Sequence, residues 1–405
     1  MDLFGLEKEK KIAESGVRNI FTPHQPIQSE ELFFGRQSTV AKIIEYLNTP
    51  GQHALLYGDR GVGKSSLANV TTSLLINRIL SVPLFTKRCS SSDTYLSLFK
   101  SALEDSGVEV DLKSTTSSLK EAGSAGLSIK VAKAGVSSDR TESRTYDYKE
   151  PTPSNVAEIL KEKKGLLYID EADQLRNKAD KVNLSETIKL LSDYASPFKI
   201  LVVGIAETGE ELTAAHPSVS RCLKETRLEK MTDQELETLV NEGAEKLGLK
   251  FEFPVVSTIV RLSSGYPHFA HLLSLKCAEE AIVFGHTTIT LRVLHTAIRD
   301  AVSDAEGSLR REYQEAVRSA STDMFKNVLL AAARIGAQRE FNAASWRREV
   351  EKITGVAISQ QELNNYLSRL VDKDESCIIK RLSKGVYKFN DPRMPSFIKI
   401  ANEDV

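Results

Sequence analysis

The sequence predicts an α/β protein: a three-layer core around a parallel sheet, then an all-helical domain, then a C-terminal winged helix. Three observations favour this fold class. Short apolar runs alternate with helix-like segments as far as residue 228, only helical spacing follows as far as residue 304, and three helices and a basic hairpin end the chain. The expected domains are therefore residues 1–228, 229–304 and 305–405.

Composition limits the possible functions. The 405 residues exceed one ordinary core, and the net charge of −1 gives no general attraction to nucleic acid or membrane. No apolar stretch reaches the ~20 residues that span a bilayer, and the first residues lack the apolar core of a signal peptide. The four cysteines form no C-x-x-C pair, so neither zinc nor disulfides are indicated. We expect a cytoplasmic protein with no membrane partner.

The first chemical motif is a phosphate-binding loop. An apolar run over residues 53–57 precedes it and helical spacing over residues 65–75 follows, which is the context that the motif requires. Its glycines let backbone N–H groups surround an anion at a helix N-terminus. The nucleotide-binding candidates are Gly58, Asp59, Arg60, Gly61, Val62, Gly63, Lys64, Ser65 and Ser66. We expect Lys64 to contact the β and γ phosphates of ATP and Ser65 to bind Mg²⁺; the alternative is a glycine-rich turn that matches by chance.

A second motif ends the apolar run at residues 165–169. An acid at the carboxyl end of a parallel strand lies at the ligand crevice, so Asp170 is expected to hold Mg²⁺ through water. Glu171 would orient or deprotonate the attacking water. The alternative is a pair of solvated acids. Residues 170–173 also spell a motif of one RNA helicase class, but residues 229–405 lack the second α/β lobe that those enzymes need.

Weaker patterns complete the core and the helical domain. Residues 80–85 and 199–205 are predicted strands, although Pro83 argues against a central position for the first. Residues 104–150 form a polar insertion in which residues 126–131 alternate as a hairpin strand does. Beyond residue 229, Thr232 and Glu235 fit a helix-capping pattern, and further helices are expected near residues 255–262, 267–283 and 291–302.

The C-terminal domain is predicted from its order of elements. Helices are expected near residues 325–332, 344–353 and 359–371, the last with Ser359 as its cap, and strands over residues 377–382 and 386–389. Three helices and a hairpin are the winged-helix arrangement, a variant of the helix-turn-helix.

A family resemblance follows from Ser220-Arg221-Cys222, which lies after the strand at residues 199–205. The triplet resembles the Ser-Arg-Cys motif of clamp-loader AAA+ ATPases and the matching segment of origin-recognition and archaeal replication-initiator ATPases. The order of motifs over residues 18–400 is similar too, beginning with Phe34-Gly35-Arg36. The resemblance implies an AAA+ core, ATP hydrolysis, and a homo- or hetero-oligomer in which Arg221 is an arginine finger for a neighbour's ATP. The alternative is an ordinary ion-paired surface arginine.

Two positions depart from that family. Its sensor-1 strand usually delivers an Asn, whereas this chain has Glu207 and Thr208; Thr208 remains able to polarise water. Its sensor-2 helix carries an Arg where this chain has His268, a candidate for the γ-phosphate or else a structural histidine. The nearby Gly265-Tyr266-Pro267 resembles the signalling ATPases of the STAND class. Hydrolysis is therefore expected to be slow, as suits a switch.

The basic residues of the C-terminal domain favour DNA contact. Residues 322–405 hold 14 Lys and Arg against 11 Asp and Glu, and the cations cluster locally. The DNA-binding candidates are Arg347, Arg348, Lys380, Arg381 and Lys384, with Lys388 and Arg393 nearby. This spread suits sequence-tolerant phosphate contacts. The favoured function is thus a DNA-associated assembly factor. The alternatives are a STAND-like signalling ATPase with an unknown protein partner, whose winged helix packs internally, and a nucleotide-sensing adaptor without turnover.

Overall fold

The computed structural model describes residues 6–110, 129–131, 152–213, 217–318, 323–336, 340–371 and 378–403. The chain forms two compact units. The first comprises Met1–Gly35, Arg60–Gly63 and Glu229–Val405, and the second comprises Arg36–Asp59 and Lys64–Leu228. The tip of the phosphate loop, Arg60–Gly63, thus packs with the first unit, whereas its neighbours in the chain belong to the second. The three-domain division predicted above stays a prediction.

The elements are numbered in chain order. The α-helices are α1 (Leu6–Ser15), α2 (Val17–Ile20), α3 (Gln37–Asn48), α4 (Lys64–Leu75), α5 (Tyr95–Glu104), α6 (Pro153–Leu160), α7 (Lys178–Asp193), α8 (Glu210–Thr213), α9 (Asp233–Lys246), α10 (Phe253–Ser263), α11 (Pro267–Phe284), α12 (Leu291–Asp304), α13 (Gly307–Val317), α14 (Met324–Ile335), α15 (Ala343–Thr354), α16 (Gln360–Leu370) and α17 (Met394–Ala401). The strands are β1 (His53–Gly58), β2 (Leu84–Arg88), β3 (Val108–Val110), β4 (Ile129–Val131), β5 (Gly165–Asp170), β6 (Phe198–Ile205), β7 (Leu223–Arg227), β8 (Lys250–Phe251), β9 (Thr288–Ile289), β10 (Phe341–Asn342), β11 (Ile379–Ser383) and β12 (Val386–Phe389).

The second unit is built on a five-stranded parallel sheet in the order β2-β5-β6-β1-β7. All six residues of β5 are buried, as the apolar run predicts for a strand covered on both faces. Because the strands are parallel, their carboxyl ends lie along one edge of the sheet, where Gly58 and Asp170 end β1 and β5. The predicted parallel sheet is confirmed.

Two sheet predictions need correction. The strand expected over residues 80–85 begins only at Leu84, because Pro83 has no N–H for a ladder and a π-helical turn occupies Ile76–Leu80. This strand is at the edge of the sheet, as Pro83 indicates. Strand β7, which pairs with β1 at the other edge, was not predicted, since its sequence Leu-Lys-Glu-Thr-Arg is too polar to read as a strand.

The polar insertion begins later than the composition indicates. Val108 and Val110 in β3 are buried in the core, and β3 pairs antiparallel with β4. The strand predicted within residues 126–131 is confirmed over Ile129–Val131. The rest of the predicted insertion, residues 111–128 and 132–150, lies outside the described residues.

The helices predicted after residue 229 are confirmed as α9 to α12. The Thr232 hydroxyl accepts a hydrogen bond from the Glu235 N–H, and the Glu235 carboxylate accepts one from the Thr232 N–H, which is the predicted capping box. The prediction of an all-helical domain is wrong in one detail, because β8 and β9 form a short parallel pair. Two-residue strands leave too short a pattern for sequence reasoning to find.

The C-terminal region, residues 323–403, contains the three predicted helices α14, α15 and α16 and a three-stranded antiparallel sheet in the order β10-β12-β11. Trp346 is fully buried and donates its indole N–H to the Val328 carbonyl at 2.7 Å, which fixes α15 against α14. Helix α17 after the hairpin was not predicted. The assignment of this region as a winged helix stays a prediction. None of the helices in the described part of the chain combines the length and apolar character needed to cross a lipid bilayer.

Candidate nucleotide site

The phosphate loop joins the end of β1 to the start of α4, as the motif predicts. Gly58 has φ +146°, and a Cβ at this position would lie 2.5 Å from the Leu228 carbonyl oxygen, so only glycine fits. Lys64 is 8% exposed, and its ammonium donates to the carbonyl oxygens of Asp59 (2.7 Å) and Gly58 (3.1 Å). The lysine is therefore held at the base of the loop, where a phosphate would compete with these carbonyls for it.

Ser65 and Asp170 lie together beside the loop. The Ser65 hydroxyl donates to Asp170 Oδ1 at 3.3 Å, and the Glu171 N–H donates to the same oxygen at 2.9 Å. Asp170 is 5% exposed. A hydroxyl oxygen and a carboxylate oxygen at this separation are ligands of the type that Mg²⁺ takes alongside water and phosphates. The residues predicted for Mg²⁺ thus fit such an ion.

Glu171 follows in a strained backbone conformation. Its φ is +55°, it precedes the short 3-10 helix Ala172–Gln174, and its carboxylate is half exposed. A non-glycine residue with positive φ costs of order 1–3 kcal/mol, and such strain clusters at functional sites. The geometry turns Glu171 away from the strand direction that carries Asp170.

Arg88 was missed by sequence reasoning. It ends β2 directly opposite Asp170 in the strand register, and its guanidinium lies 3.7 Å from Asp170 Oδ2 and 4.0 Å from Glu171 Oε1. The Arg88 guanidinium thus contacts both Asp170, which is predicted to hold the metal, and Glu171, which is predicted to activate water. Only the pairing of β2 with β5 brings it there, and no local pattern marks it.

The exit of β6 carries the sensor candidates. The Ile205 N–H donates to Asp173 Oδ1 at 2.8 Å, so Asp173 ties the ends of β5 and β6 together, another role that the sequence did not reveal. The Thr208 hydroxyl is 3.5 Å from Glu211 Oε1, and the Glu207 N–H is 3.3 Å from Glu211 Oε2. The Thr208 hydroxyl is therefore directed toward the Glu211 carboxylate. Polarisation of water by Thr208 stays a prediction.

Arg221 ends the 3-10 turn Pro217–Arg221, and its side chain is 65% exposed. The guanidinium donates to Asp193 Oδ1 at 2.6 Å, and this carboxylate is exposed too. Exposed ion pairs contribute little stability, so Arg221 can leave Asp193 at small cost. The role of Arg221 as a finger for a neighbouring subunit stays a prediction.

In the first unit, an ion-pair network surrounds the tip of the phosphate loop. Arg60 contacts Glu306 Oε1 at 3.1 Å, and Arg393 donates to Glu306 Oε2 at 2.5 Å and to Asp391 Oδ2 at 2.7 Å. Gly61, with φ +81°, packs so closely that a Cβ would lie 2.6 Å from Arg393 Cδ. Partial burial raises the pKa of Glu306, but the hydrogen bond and charge of Arg393 outweigh it and hold that pKa at about 2.

Arg393 therefore differs from the prediction made for it. The sequence grouped it with the cations of the hairpin, but it is 5% exposed and engaged by two carboxylates. It is unavailable to DNA in this arrangement, because burial and ion pairing remove it from the surface.

His268 is oriented by the N-terminal segment. Its Nδ1 lies 2.8 Å from the Pro23 carbonyl oxygen, and burial is the main cause that lowers its pKa. A neutral ring that donates from Nδ1 presents a lone pair at Nε2, and Nε2 is buried without a hydrogen-bond partner among the described residues. Contact between His268 and a phosphate would thus require protonation of Nε2, and the γ-phosphate role of His268 stays a prediction.

The predicted DNA-binding cations lie on α15 and β11 and at the hairpin turn. Arg348, Lys380, Arg381 and Lys384 are exposed, and Arg347 is half-buried. Arg381 donates weakly to the Ser383 carbonyl at 3.4 Å, a contact within the hairpin. These side chains remain open to a polyanion.

A phosphate loop at the carboxyl edge of a parallel sheet, with a Ser–Asp pair beside it, defines a P-loop NTPase. The sequence profile of the family Novel STAND NTPase 1 (nSTAND1) matches residues 23–376, so the chain belongs to this family of STAND NTPases.

Among solved structures, the chain is similar to the ORC2 protein of Aeropyrum pernix in its ADPNP-ADP complexes, with 15% identity, a TM-score of 0.51 and coverage of 95% of this chain and 97% of that one. It also matches the A. pernix ORC1 protein in complex with DNA (15% identity, TM-score 0.48, coverage 94% and 96%) and the Thermotoga maritima RuvB Holliday junction branch migration motor (15%, 0.44, 89% and 94%). No curated protein matches the sequence. At 15% identity the likeness to ORC2 shows the fold alone, which is that of an AAA+ P-loop ATPase.

Proposed function

We propose that this protein is an ATP-binding and slowly hydrolysing switch. Lys64 would exchange its two loop carbonyls for the β and γ phosphates, while Ser65 and Asp170 hold Mg²⁺, which neutralises phosphate charge when bound. Glu171 would accept the proton of the attacking water, and ADP and phosphate would be the products. The Arg88 guanidinium lies 3.7 Å from Asp170 Oδ2 and 4.0 Å from Glu171 Oε1, so it competes with the metal and the attacking water for these two carboxylates, which supports slow rather than fast turnover.

The observation that carries the switch is the network at the loop tip. Glu306 contacts Arg60 of the loop with one oxygen and Arg393 of the C-terminal region with the other. A phosphate bound along the loop adds negative charge beside Arg60, and so competes with Glu306 for this cation. Nucleotide occupancy would thereby change how firmly the C-terminal region is held at the loop.

The test is nucleotide exchange. Glu306→Gln keeps the shape but removes the carboxylate that competes with phosphate for Arg60, so we expect a fluorescent ADP analogue to dissociate several-fold more slowly. Arg381→Ala removes an exposed cation from the hairpin and serves as the matched control, with an unchanged rate. Equal rates for wild type and Glu306→Gln would show that the network does not sense the nucleotide.

Assembly is proposed from the exposure of Arg221. An arginine that can leave a surface ion pair at little cost is free to enter a neighbouring subunit and to stabilise charge on the transferring phosphoryl group. The protein would then form a homo- or hetero-oligomer when ATP is present. Size measurement with and without a non-hydrolysable ATP analogue tests this, and a monomer in both conditions refutes it.

A second candidate function is DNA contact through the hairpin. Lys380, Arg381 and Lys384 are exposed on one short segment, where each can neutralise a phosphate. The competing candidate is a STAND-like signalling switch whose winged helix packs internally and whose partner is a protein, a role that the ion-paired Arg393 favours.

Anisotropy of a labelled duplex at two salt concentrations, with ATP present, separates the two candidates. Binding that weakens steeply with salt, with a slope that falls by up to about three contacts in Lys380→Ala/Arg381→Ala/Lys384→Ala, supports DNA contact. Failure of the intact protein to bind at low salt favours the signalling switch.

A further inference from the structure

The turn that ends α10 is contacted by a half-buried lysine of α17. Ser264 has φ +49°, and its hydroxyl donates to the Arg261 carbonyl at 3.1 Å. The Lys399 ammonium donates to the same hydroxyl at 3.0 Å. Three residues earlier on α17, the Ser396 hydroxyl donates to the Ser263 carbonyl at 3.1 Å. These contacts fix Lys399 against the end of α10.

Three further cations lie near Lys399. Arg261 belongs to the last turn of α10, and Lys230 lies beside that turn, since a Cβ at Gly265 would be 2.7 Å from Lys230 Cβ. Arg334 lies in the last turn of α14, which also packs against α17. Burial, followed by the charges of these three residues, lowers the pKa of Lys399 to about 8. The four residues therefore form one cluster of mutually repelling charges, called here the α10–α17 cation cluster.

Carboxylates do not reach the centre of the α10–α17 cation cluster. Arg261 pairs with Glu403, and the Arg334 guanidinium lies 3.8 Å from Glu349 Oε1. In the described part of the chain, no carboxylate lies within ion-pair distance of Lys399. A cation that is largely removed from water without a counter-charge costs stability. An external anion would supply that charge.

A phosphate group suits the donors of this cluster. It carries up to two negative charges and several oxygens that accept hydrogen bonds. Guanidinium groups pair with it through two parallel N–H bonds, and an ammonium binds it as a point charge. A monovalent anion such as chloride would leave more of the repulsion between the cations in place. Because Lys399 is half-buried, a small phosphate compound is favoured over a polymer.

We propose that the α10–α17 cation cluster binds the phosphate group of a small anion, either inorganic phosphate or a phosphomonoester. Lys399 is the central donor, and the phosphate joins the ends of α10 and α14 to α17. Such a phosphate would hold the C-terminal region on α10 whatever nucleotide the phosphate loop carries. It is therefore a second ligand, distinct from the ATP or ADP of the proposed switch.

The test is the melting temperature of the full chain in inorganic phosphate and in sodium chloride of equal ionic strength. We expect phosphate to raise the melting temperature of the wild type by about 2–4 °C more than chloride does, because it binds the folded state. Lys399→Met keeps the apolar stem and removes the central donor, so it should lose most of that difference. General effects of the phosphate salt act alike on wild type and variant.

Three further variants separate the possible explanations. Arg334→Gln removes a second member of the cluster and should also reduce the response to phosphate; if Lys399→Met does not fold, this variant decides alone. Lys384→Ala removes an exposed cation of the hairpin and should keep the full response. Lys64→Ala removes the lysine of the phosphate loop and should keep it too, which distinguishes this site from the nucleotide site.

The source of the phosphate is identified by a parallel titration with glycerol 3-phosphate. A response to inorganic phosphate alone identifies the free ion as the ligand, and equal responses identify a phosphomonoester group. Equal responses to phosphate in wild type, Lys399→Met and Arg334→Gln overturn the proposed site. A response that chloride reproduces, or that Lys64→Ala alone abolishes, overturns it as well.

Discussion

Two groups of cations in this chain behave in opposite ways. At the phosphate loop, Lys64 and Arg393 are almost fully buried, and each is held by fixed oxygens. At the hairpin, Lys380, Arg381 and Lys384 are exposed. This difference shows that the sequence position of a basic residue does not tell whether it pairs with carboxylates inside the protein or faces solvent. Arg393 and Lys384 are nine residues apart, yet one belongs to an internal ion-pair network and the other faces solvent.

Among substitutions of these buried and exposed cations, Lys64→Ala is expected to have the largest effect. Lys64→Ala removes the side-chain cation expected at the β and γ phosphates, so ATP binding and turnover should fall below detection. Equilibrium binding of a fluorescent ATP analogue measures this, with Lys384→Ala as the exposed-cation control that should bind as wild type does. Retained binding by Lys64→Ala would mean that the loop is not the nucleotide site.

The next effect is expected at Glu171. Glu171→Gln should retain ATP binding and lose turnover by about two to four orders of magnitude, the contribution of general acid–base catalysis. Steady-state phosphate release measures it. Glu207→Gln, a neighbouring exposed acid on the β6 exit, is the control. Wild-type turnover in Glu171→Gln would reassign the water-activating role, whereas an inactive wild-type enzyme would favour the adaptor without turnover.

Replacing the buried Arg393 should destabilise the protein far more than replacing the exposed Arg381. Arg393→Ala leaves Glu306 and Asp391 facing each other without their shared cation, and breaking a buried pair in this way costs about 3–5 kcal/mol. Arg381→Ala should change the free energy of unfolding by less than about 0.5 kcal/mol. Denaturant titration of both variants compares them directly, and equal stabilities would show that the Arg393 network is not structural.

Acid should remove the stability that the Glu306 ion pairs contribute to the folded protein. The folded pKa of Glu306, about 2, lies below its ordinary value of 4.5, so its ion pairs stabilise the protein fully above pH 4.5 and lose that effect as the pH falls toward 2. Glu306→Gln lacks this titration. The stability difference between wild type and Glu306→Gln should therefore shrink between pH 4.5 and 2, as measured by denaturant titration, and a constant difference would contradict the low pKa.

The smallest effect is expected at Arg221. Arg221→Ala should fold and bind ATP normally, because its ion pair with Asp193 is exposed, but turnover should fall about tenfold or more if the residue acts in a neighbouring subunit. Mixing Arg221→Ala with Lys64→Ala protein should partly restore turnover, since each supplies what the other lacks. A rate per subunit that does not change with protein concentration would rule out this arrangement.

The sequence by itself determined those parts of the protein that depend on local pattern. The phosphate loop needs glycines, a lysine and a serine at fixed spacing, and the buried strands β5 and β6 need apolar runs. The loop and these two strands can therefore be predicted from the sequence alone. Capping boxes at Thr232 and Ser359 mark helix starts for the same reason.

The tertiary structure decided which distant residues meet. Arg88 joins Asp170 only because β2 pairs with β5, and Arg393 joins Glu306 and Gly61 only because the C-terminal region folds back on the loop tip. The polar strand β7 and the two-residue strands β8 and β9 exist because partners supply their hydrogen bonds. Side-chain burial and ion pairing depend on contacts across hundreds of residues, which periodicity and composition do not record.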